Sequence, residues 1–395
     1  MLNEKRNQEV VENCQLLIRN KSYSGQEGEV VAAIETLMQH YGFDEISVDR
    51  YGNIVGGIVG NKPGKTIVFD GHIDTVPFDG AKWTTDPLGG DITEGKIYGR
   101  GTTDMKGAVA AMISAAGFFA QDKQRSFSGK IYISCVVHEE CFEGIAARLV
   151  SEKFKPDYVV IGEASELNLK IGQRGRAEIV VETFGKPAHS ANPDAGINAV
   201  YKMAQLIDSI RKIDPLSHEV LGKGILELTD IKSAPYPGAS VVPDYCRATY
   251  DRRLLVGETH ASVLEPLELV IRRMAQNDPG SKAKVSYATG REECYTGEVI
   301  EGERFFPGWV FDEQDELVKL ALAGVRSAGI EPAITKYSFC TNGSHYAGEA
   351  GIRTVGFGPS RENLAHTIDE YIEIDQLLGA AKGYYGIMSS ACPEN

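Results

Sequence analysis

The sequence has no apolar run long enough to cross a membrane and no excess of positive charge. Its longest stretch of small and apolar residues spans 107–120, short of the roughly 20 residues that a membrane-spanning helix needs, and it indicates a buried helix. Lys and Arg number 41 against 55 Asp and Glu, for a net charge of -14. This charge disfavours nucleic acid and anionic membrane surfaces as partners.

Cysteine pairs and phosphate-binding loops are also missing. The 7 cysteines are odd in number and scattered, with no C-x-x-C pair, so neither a disulfide framework nor a cysteine zinc site is indicated. No G-x-x-x-x-G-K-[ST] loop occurs, since the Gly-Lys-Thr of 64–66 precedes a strand instead of following one. The first residues are polar and lack the apolar segment of a secretory signal. We therefore expect a cytoplasmic protein with reduced thiols.

The 395 residues, 42% hydrophobic and 24% charged, are enough for two globular domains. Ser24 and Glu27 form a capping-box pattern at the start of a predicted helix that stops at Gly42. Beyond it, apolar runs alternate with helical patterns at 105–120 and 143–152; the runs are 53–59, 66–70, 130–137 and 157–162. This alternation predicts an α/β domain with a largely parallel sheet and helices on both faces.

A second domain is predicted over 177–290. Its strands alternate more strictly between apolar and polar residues, and its elements follow the order β-α-β-β-α-β, which is that of a ferredoxin-like α+β unit. Helices near 312–328 and 374–388 and short strands near 335–339 and 352–357 would return to the first sheet. The first domain is therefore predicted to be discontinuous, over 1–176 and 291–395.

Histidines and carboxylates stand at the ends of the predicted elements. Each motif alone also fits a surface turn or the start of a helix. The carboxyl ends of parallel strands meet at one edge of a sheet, where open α/β sheets bind ligands. Two histidines with several carboxylates and no cysteine form the ligand set of a hydrolytic zinc, cobalt or manganese site. The candidates are His72, Asp74, Asp104, Glu139, Glu140, Glu163 and His366.

These motifs carry a family resemblance over nearly the whole chain. GHIDTVP (71–77), GRGTTDMKG (99–107), the Glu139-Glu140 pair, Glu163 and AHTIDEY (365–371) together resemble the two-zinc family of aminoacylase, acetylornithine deacetylase and succinyl-diaminopimelate desuccinylase. Within it, SFCTNGSHYAG (338–348) and GFGPS (356–360) are similar to YgeY-type hydrolases linked to selenium metabolism. The inserted domain stands where that family carries its lid.

The resemblance implies two divalent metal ions per subunit, with zinc expected and cobalt or manganese as alternatives. It implies that Glu139 is the general base and that Asp74 hydrogen-bonds a ligand histidine and fixes its tautomer. It also implies a cis peptide bond between Asp104 and Met105. The implied ligands are His72, Asp104 and Glu163 for one ion, and Asp104, Glu140 and His366 for the other.

Four further residues are candidates through the same resemblance. His189 matches a lid histidine that stabilises the oxyanion in the partner subunit's active site, which implies a homodimer through 177–290. Asn198 and Arg253 match lid residues that contact substrate. His345 lies in a loop where many relatives have Gly-Gly-Thr-Asp and this chain has Thr-Asn-Gly-Ser. For His189 the alternative is a capping or core histidine. For Arg253 it is a solvated ion-pair arginine, and for His345 an exposed loop histidine.

The resulting functional hypothesis is a metal-dependent hydrolase that cleaves a linear amide bond in a small molecule, such as an N-acyl or N-carbamoyl amino-acid-like compound. Two alternatives remain open at this point. The first is a dipeptidase or carboxypeptidase of the same family. The second is a non-catalytic descendant that keeps the fold as a binding or regulatory module, which the intact ligand and base positions disfavour.

Overall fold

The computed structural model describes residues 2–394, which form two compact units. The first unit comprises 2–173, 291–301 and 309–394, and the second unit comprises 174–290 and 302–308. The α-helices of the described chain are α1 (Glu4–Arg19), α2 (Gly28–His40), α3 (Lys106–Lys123), α4 (Ala147–Phe154), α5 (Ala199–Ile210), α6 (His260–Asn277), α7 (Glu316–Ser327) and α8 (Ile374–Ala391).

The strands are β1 (Glu45–Val48), β2 (Ile54–Val59), β3 (Lys62–His72), β4 (Ile92–Thr93), β5 (Lys96–Tyr98), β6 (Ser128–Val136), β7 (Tyr158–Ile161), β8 (Leu169–Gln173), β9 (Gly175–Phe184), β10 (Ser217–His218), β11 (Gly222–Lys223), β12 (Ile225–Ala234), β13 (Tyr245–Leu254), β14 (Lys282–Tyr287), β15 (Thr289–Glu293), β16 (Val299–Glu303), β17 (Phe305–Phe306), β18 (Trp309–Val310), β19 (Ile334–Tyr337), β20 (Arg353–Gly356) and β21 (Tyr371–Glu373).

The first unit is built on a nine-stranded mixed sheet in the order β1-β2-β6-β3-β7-β20-β8-β18, with β19 paired to β8. The four central strands β6, β3, β7 and β20 run parallel. Helix α3 lies on the connection from β3 to β6, and α4 on that from β6 to β7, as parallel neighbours require. Both margins are antiparallel, since β1 and β2 form a hairpin and β18 pairs with β8. Strand β19 pairs parallel with β8, so the sheet is mixed, with a parallel centre. The predicted α/β class is confirmed.

Helix α3 forms much of the first unit's core. It packs on β3 and β6 and on the helices α1 and α8. Its residues from Lys106 to Ala120 are all buried, including the small residues Ala110, Ala111, Ala115 and Ala116. Small side chains let neighbouring elements approach the helix on every side, so a helix that is apolar all round becomes buried. The interpretation of 107–120 as a buried helix is confirmed.

The second unit has an antiparallel sheet in the order β12-β13-β9-β14, with β17 also paired to β9. With α5 and α6 its chain order is β9-α5-β12-β13-α6-β14, which confirms the predicted ferredoxin-like pattern. Alternate residues of β9 and β13 enter a core with both helices, among them Ile179, Val181, Ala248 and Tyr250. The role of this unit as a lid and dimerisation domain stays a prediction.

No helix within residues 2–394 is long and apolar enough to span a bilayer. The predicted helix after Ser24 exists as α2, but its capping box is wrong. The Ser24 hydroxyl donates to the Asp74 carboxylate at 2.7 Å, and Glu27 Oε1 accepts the N–H of Gly25 at 2.9 Å. Because the serine has a distant partner, it does not cap the helix.

Candidate metal centre

The parallel centre of the sheet brings three chain segments to one edge. Strand β3 lies between β6 and β7, with His72 opposite Val136 and Asp70 opposite Ile161. Each strand ends there and continues directly into a segment with acidic side chains. The ends of parallel strands therefore place Glu139, Glu140 and Glu163 around His72, as expected for open α/β sheets.

The first cluster consists of His72, Asp104 and Glu163. The Nε2 of His72 lies 2.8 Å from Asp104 Oδ1 and 3.4 Å from Glu163 Oε1. His72 and Glu163 are buried, and only 14% of the Asp104 side chain is exposed. One nitrogen and two carboxylate oxygens thus converge in a largely buried space.

The second cluster consists of Asp104, Glu140 and His366. The Nε2 of His366 lies 3.0 Å from Asp104 Oδ2 and 3.0 Å from Glu140 Oε1. In each cluster, the possible ligand atoms lie within 4.8 Å of one another. The two oxygens of Asp104 therefore face different clusters, which is the arrangement of a carboxylate that bridges two cations.

The imidazole of His72 is oriented by its second nitrogen. Nδ1 lies 2.8 Å from the carbonyl oxygen of Asp74, and because a carbonyl only accepts, Nδ1 carries the proton. Nε2 faces the carboxylates of Asp104 and Glu163, so its lone pair would be directed at a cation that replaces its proton there. A hydrogen bond from the far nitrogen commonly fixes the tautomer of a metal-binding histidine in this way.

The Asp74 carboxylate faces both His72 and the turn that follows β6. Its Oδ1 lies 3.5 Å from His72 Nδ1, while it accepts the N–H of Glu139 at 3.0 Å. Its Oδ2 accepts the N–H of Glu140 at 3.2 Å. The main contact with His72 is thus the Asp74 carbonyl, and the carboxylate anchors the turn that carries Glu139 and Glu140.

Glu139 lies beside the two clusters without belonging to either. It is 6% exposed, and within the described part of the chain its buried Oε1 has no hydrogen-bond partner. Burial raises the pKa of Glu139 well above its usual range, against the opposing charge of His72. An unpartnered buried carboxylate is costly on its own, so it fits a place next to a bound cation and its water.

Negative charge accumulates at this sheet edge. Burial, followed by the charge of Asp104, raises the pKa of Glu140 to about 7. The same two causes raise the pKa of Glu163. Divalent cations would offset this repulsion, and a set of imidazole and carboxylate ligands without thiolate suits zinc, cobalt or manganese. The residues therefore fit two divalent ions.

The peptide bond between Asp104 and Met105 is cis, as the resemblance implies. Asp104 stands in an irregular turn directly before α3, which begins at Lys106.

Glu370, whose contacts were not predicted from the sequence, also touches this turn. Glu370 is fully buried and accepts the backbone N–H of Asp104 at 3.2 Å. The sequence contained a signal for Glu370 as a site residue, because it belongs to the same AHTIDEY motif as His366.

Three candidate residues lie in the second unit. His189 is exposed and pairs with Val241 in an isolated bridge, and its Nδ1 accepts the N–H of Ala191 at 3.0 Å. Asn198 caps α5, with its Oδ1 accepting the N–H of Val200 at 2.9 Å. Arg253 is partly buried on β13.

Arg253 and His345 both have partners within the protein. The Nε of Arg253 donates to Asp251 Oδ1 at 2.8 Å. His345 is buried in a π-helix over Ser344–Glu349, where its Nε2 lies 2.6 Å from Ser151 Oγ and its Nδ1 lies 2.8 Å from Glu349 Oε2. Both ring nitrogens of His345 are thus engaged, so it links two helical segments, and its contact with substrate stays a prediction.

Residues 68–390 match the model of peptidase family M20/M25/M40. The chain is 32% identical over 372 residues to the uncharacterized protein YgeY of Escherichia coli (strain K12), covering 93% of this chain and 90% of YgeY. It is 31% identical over 376 residues to a succinyl-diaminopimelate desuccinylase of Cereibacter sphaeroides (strain KD131), covering 91% and 93%. The YXEP protein of Bacillus subtilis, described as a dinuclear metal-binding peptidase, shares the fold with a TM-score of 0.73 at 14% identity, covering 98% of both chains.

Proposed function

Because the chain belongs to peptidase family M20/M25/M40 and is a metal-dependent hydrolase, we propose that it cleaves an N-acyl or N-carbamoyl group from a small amino-acid-like compound. The observation that carries the proposal is the division of Asp104 between two clusters, each with one histidine and one further carboxylate. A bridging carboxylate of this kind suits hydrolysis of an unactivated amide, because two cations can act on one carbonyl and one water.

In this proposal, His72, Asp104 and Glu163 hold one ion, and Asp104, Glu140 and His366 hold the other. Two bound divalent ions, with zinc as the proposed metal, would polarise the scissile carbonyl and lower the pKa of a water molecule. Glu139 takes the proton from the attacking water and passes it to the leaving nitrogen. Asp74 supports both functions, since it orients His72 through its carbonyl and the Glu139 turn through its carboxylate.

The second unit is proposed to supply the remaining contacts by forming a homodimer. Strand β12 is at the edge of its sheet and exposes Ile231, so it offers backbone groups for pairing with a second copy. His189 would act on the partner's active site as an oxyanion donor. Arg253 and Asn198 are proposed to contact the substrate, with Arg253 exchanging Asp251 for a substrate carboxylate.

Two further features are part of the proposal. None of the seven cysteines, all within the described residues, forms a disulfide, which is consistent with function in the reducing cytoplasm. Peptide cleavage is the second candidate activity, and the description of the matched family as peptidases favours it. The desuccinylase relative at 31% identity favours deacylation instead.

A substrate panel tests the proposed function. Purified protein supplied with Zn²⁺, Co²⁺ or Mn²⁺ is assayed against N-succinyl, N-acetyl and N-carbamoyl amino acids and against dipeptides. We expect the highest kcat/KM on an N-acyl or N-carbamoyl compound. Faster cleavage of dipeptides would identify a peptidase, and binding of these compounds without turnover would identify a non-catalytic descendant.

The ligand assignment predicts a specific pattern of metal loss. Elemental analysis of the purified protein is expected to find two divalent ions per chain, in line with its two clusters. Glu163→Gln and Glu140→Gln are each expected to lose one ion, because each carboxylate serves one cluster. Asp104→Asn is expected to lose both. An active protein without metal, or an Asp104→Asn variant with two ions, would contradict the assignment.

A further inference from the structure

Glu370 is a fully buried carboxylate that faces the backbone of the turn before α3. Its Oε1 accepts three backbone N–H groups, from Gly101 at 3.0 Å, Thr103 at 2.9 Å and Asp104 at 3.2 Å. Its Oε2 accepts a hydrogen bond from the guanidinium of Arg100, which is 4% exposed. Four donors thus surround one carboxylate.

The turn over 99–105 depends on these contacts. It is neither helix nor strand, and its internal bonds are few, such as that from Thr102 N–H to Gly99 O at 3.2 Å. The backbone of Glu370 adds a further bond, because its carbonyl accepts the N–H of Gly99 at 2.8 Å. Successive N–H groups that point at one anion form a concave arrangement, which the anion holds in shape.

The shape of this turn determines where the Asp104 side chain points. Asp104 must present Oδ1 to His72 and Oδ2 to His366, so a small rotation of its backbone would separate it from both histidines. Glu370 bonds the backbone N–H of Asp104 itself. It also stands four residues after His366, so a single short segment carries a ligand and the contact that orients the bridging residue.

We propose that Glu370 is a positioning residue of the metal centre, whose carboxylate holds the 101–104 backbone so that Asp104 can bridge two cations. The inference rests on the two-metal site proposed above. It predicts that loss of the Glu370 charge weakens both ions together, because Asp104 belongs to both clusters.

The neighbouring Asp369 provides a matched control. Its carboxylate also accepts several hydrogen bonds from a loop, from the N–H and hydroxyl of Thr84, each at 2.8 Å, and from the N–H of Thr85 at 3.2 Å. Among the hydrogen bonds and ion pairs of the described residues, the side chain of Asp369 has those with Thr84 and Thr85 and none with 101–104. Asp369→Asn therefore perturbs the same segment by the same chemistry without touching the Asp104 turn.

The experiment compares full-length wild type, Glu370→Gln and Asp369→Asn after removal of metal, by titration with Zn²⁺ and with Co²⁺. In Glu370→Gln, a neutral amide replaces the carboxylate. Its NH₂ would face the Arg100 guanidinium, so two hydrogen-bond donors would point at each other and this hydrogen bond would be lost. Loss of a residue that orients a metal ligand typically weakens metal affinity about 10- to 100-fold, and we expect this for both ions. The Co²⁺ absorption bands should change, and excess metal should restore kcat with little change in KM.

The outcomes separate this inference from the proposed function. Wild type that binds fewer than two ions refutes the two-metal site itself. Wild type with two ions and Glu370→Gln with unchanged affinity overturns the positioning role alone. Equal weakening in Glu370→Gln and Asp369→Asn also overturns it, because the effect would then come from general loop stability. Should Glu370→Gln not fold, Arg100→Lys is tested for a smaller weakening of both ions, and unchanged affinity there counts against the inference.

Discussion

Replacing Glu139 by glutamine is expected to lower kcat by about 10²- to 10⁴-fold, the range for a lost general base, while both metal ions remain bound. The amide is nearly the same size but cannot accept the proton of the attacking water. Metal binding should persist, because Glu139 belongs to neither ligand cluster. The side chain is also buried beside three other carboxylates, so removal of its charge lessens repulsion at the site.

Steady-state kinetics on the best substrate of the panel, combined with elemental analysis of the same preparation, checks this prediction. Glu143→Gln is a suitable control, since it removes another buried carboxylate close in the chain that is in neither cluster. It is expected to keep most of the wild-type kcat. Near-normal turnover in Glu139→Gln would assign the base to another residue, and loss of an ion would make Glu139 a ligand instead.

Apolar patterns predicted most elements of the central sheet and of the second unit. The run at 66–70 lies in β3, the run at 130–137 overlaps β6, and the helix predicted near 374–388 is α8. These elements are buried on one or more sides, so their apolar residues recur with the period of the structure. Helix α1 was not predicted, although Val10, Cys14 and Leu17 are buried at helical spacing. Most residues of α1 are polar, and its apolar face is narrow, so the helical pattern was weak in the sequence.

Strand ends account for the part of the site that sequence reasoning could find. Because β3, β6 and β7 are parallel neighbours, the residues that follow them lie close together regardless of how the surrounding side chains pack. Contacts that depend on three-dimensional packing could not be predicted from the sequence. Ser24 bonds Asp74 across 50 residues, and His345 bonds Ser151 across 194 residues. No local pattern signals such pairs, since each partner alone resembles an ordinary turn or helix residue.

His189→Ala is expected to lower kcat by about 10²- to 10³-fold, the usual effect of losing one oxyanion donor, with both ions retained. The backbone N–H of Ala191 donates to Nδ1 of His189, so in the neutral ring Nε2 carries the proton. That N–H belongs to an exposed side chain and is available to a second molecule. His218→Ala is the matched control, because His218 in the same unit accepts the N–H of Val220 on Nδ1 at 3.1 Å in the same way. It should leave kcat unchanged.

Mixing two inactive variants tests whether His189 acts across the proposed dimer. In a heterodimer of Glu139→Gln and His189→Ala chains, one site would combine an intact Glu139 with the partner's intact His189. Random exchange in a symmetric dimer makes half of the molecules heterodimers, so about a quarter of the wild-type activity should return. The recovery should be absent when His189→Ala is mixed with itself. If labelled subunits exchange and no activity returns, His189 acts within its own chain or has no part in the reaction.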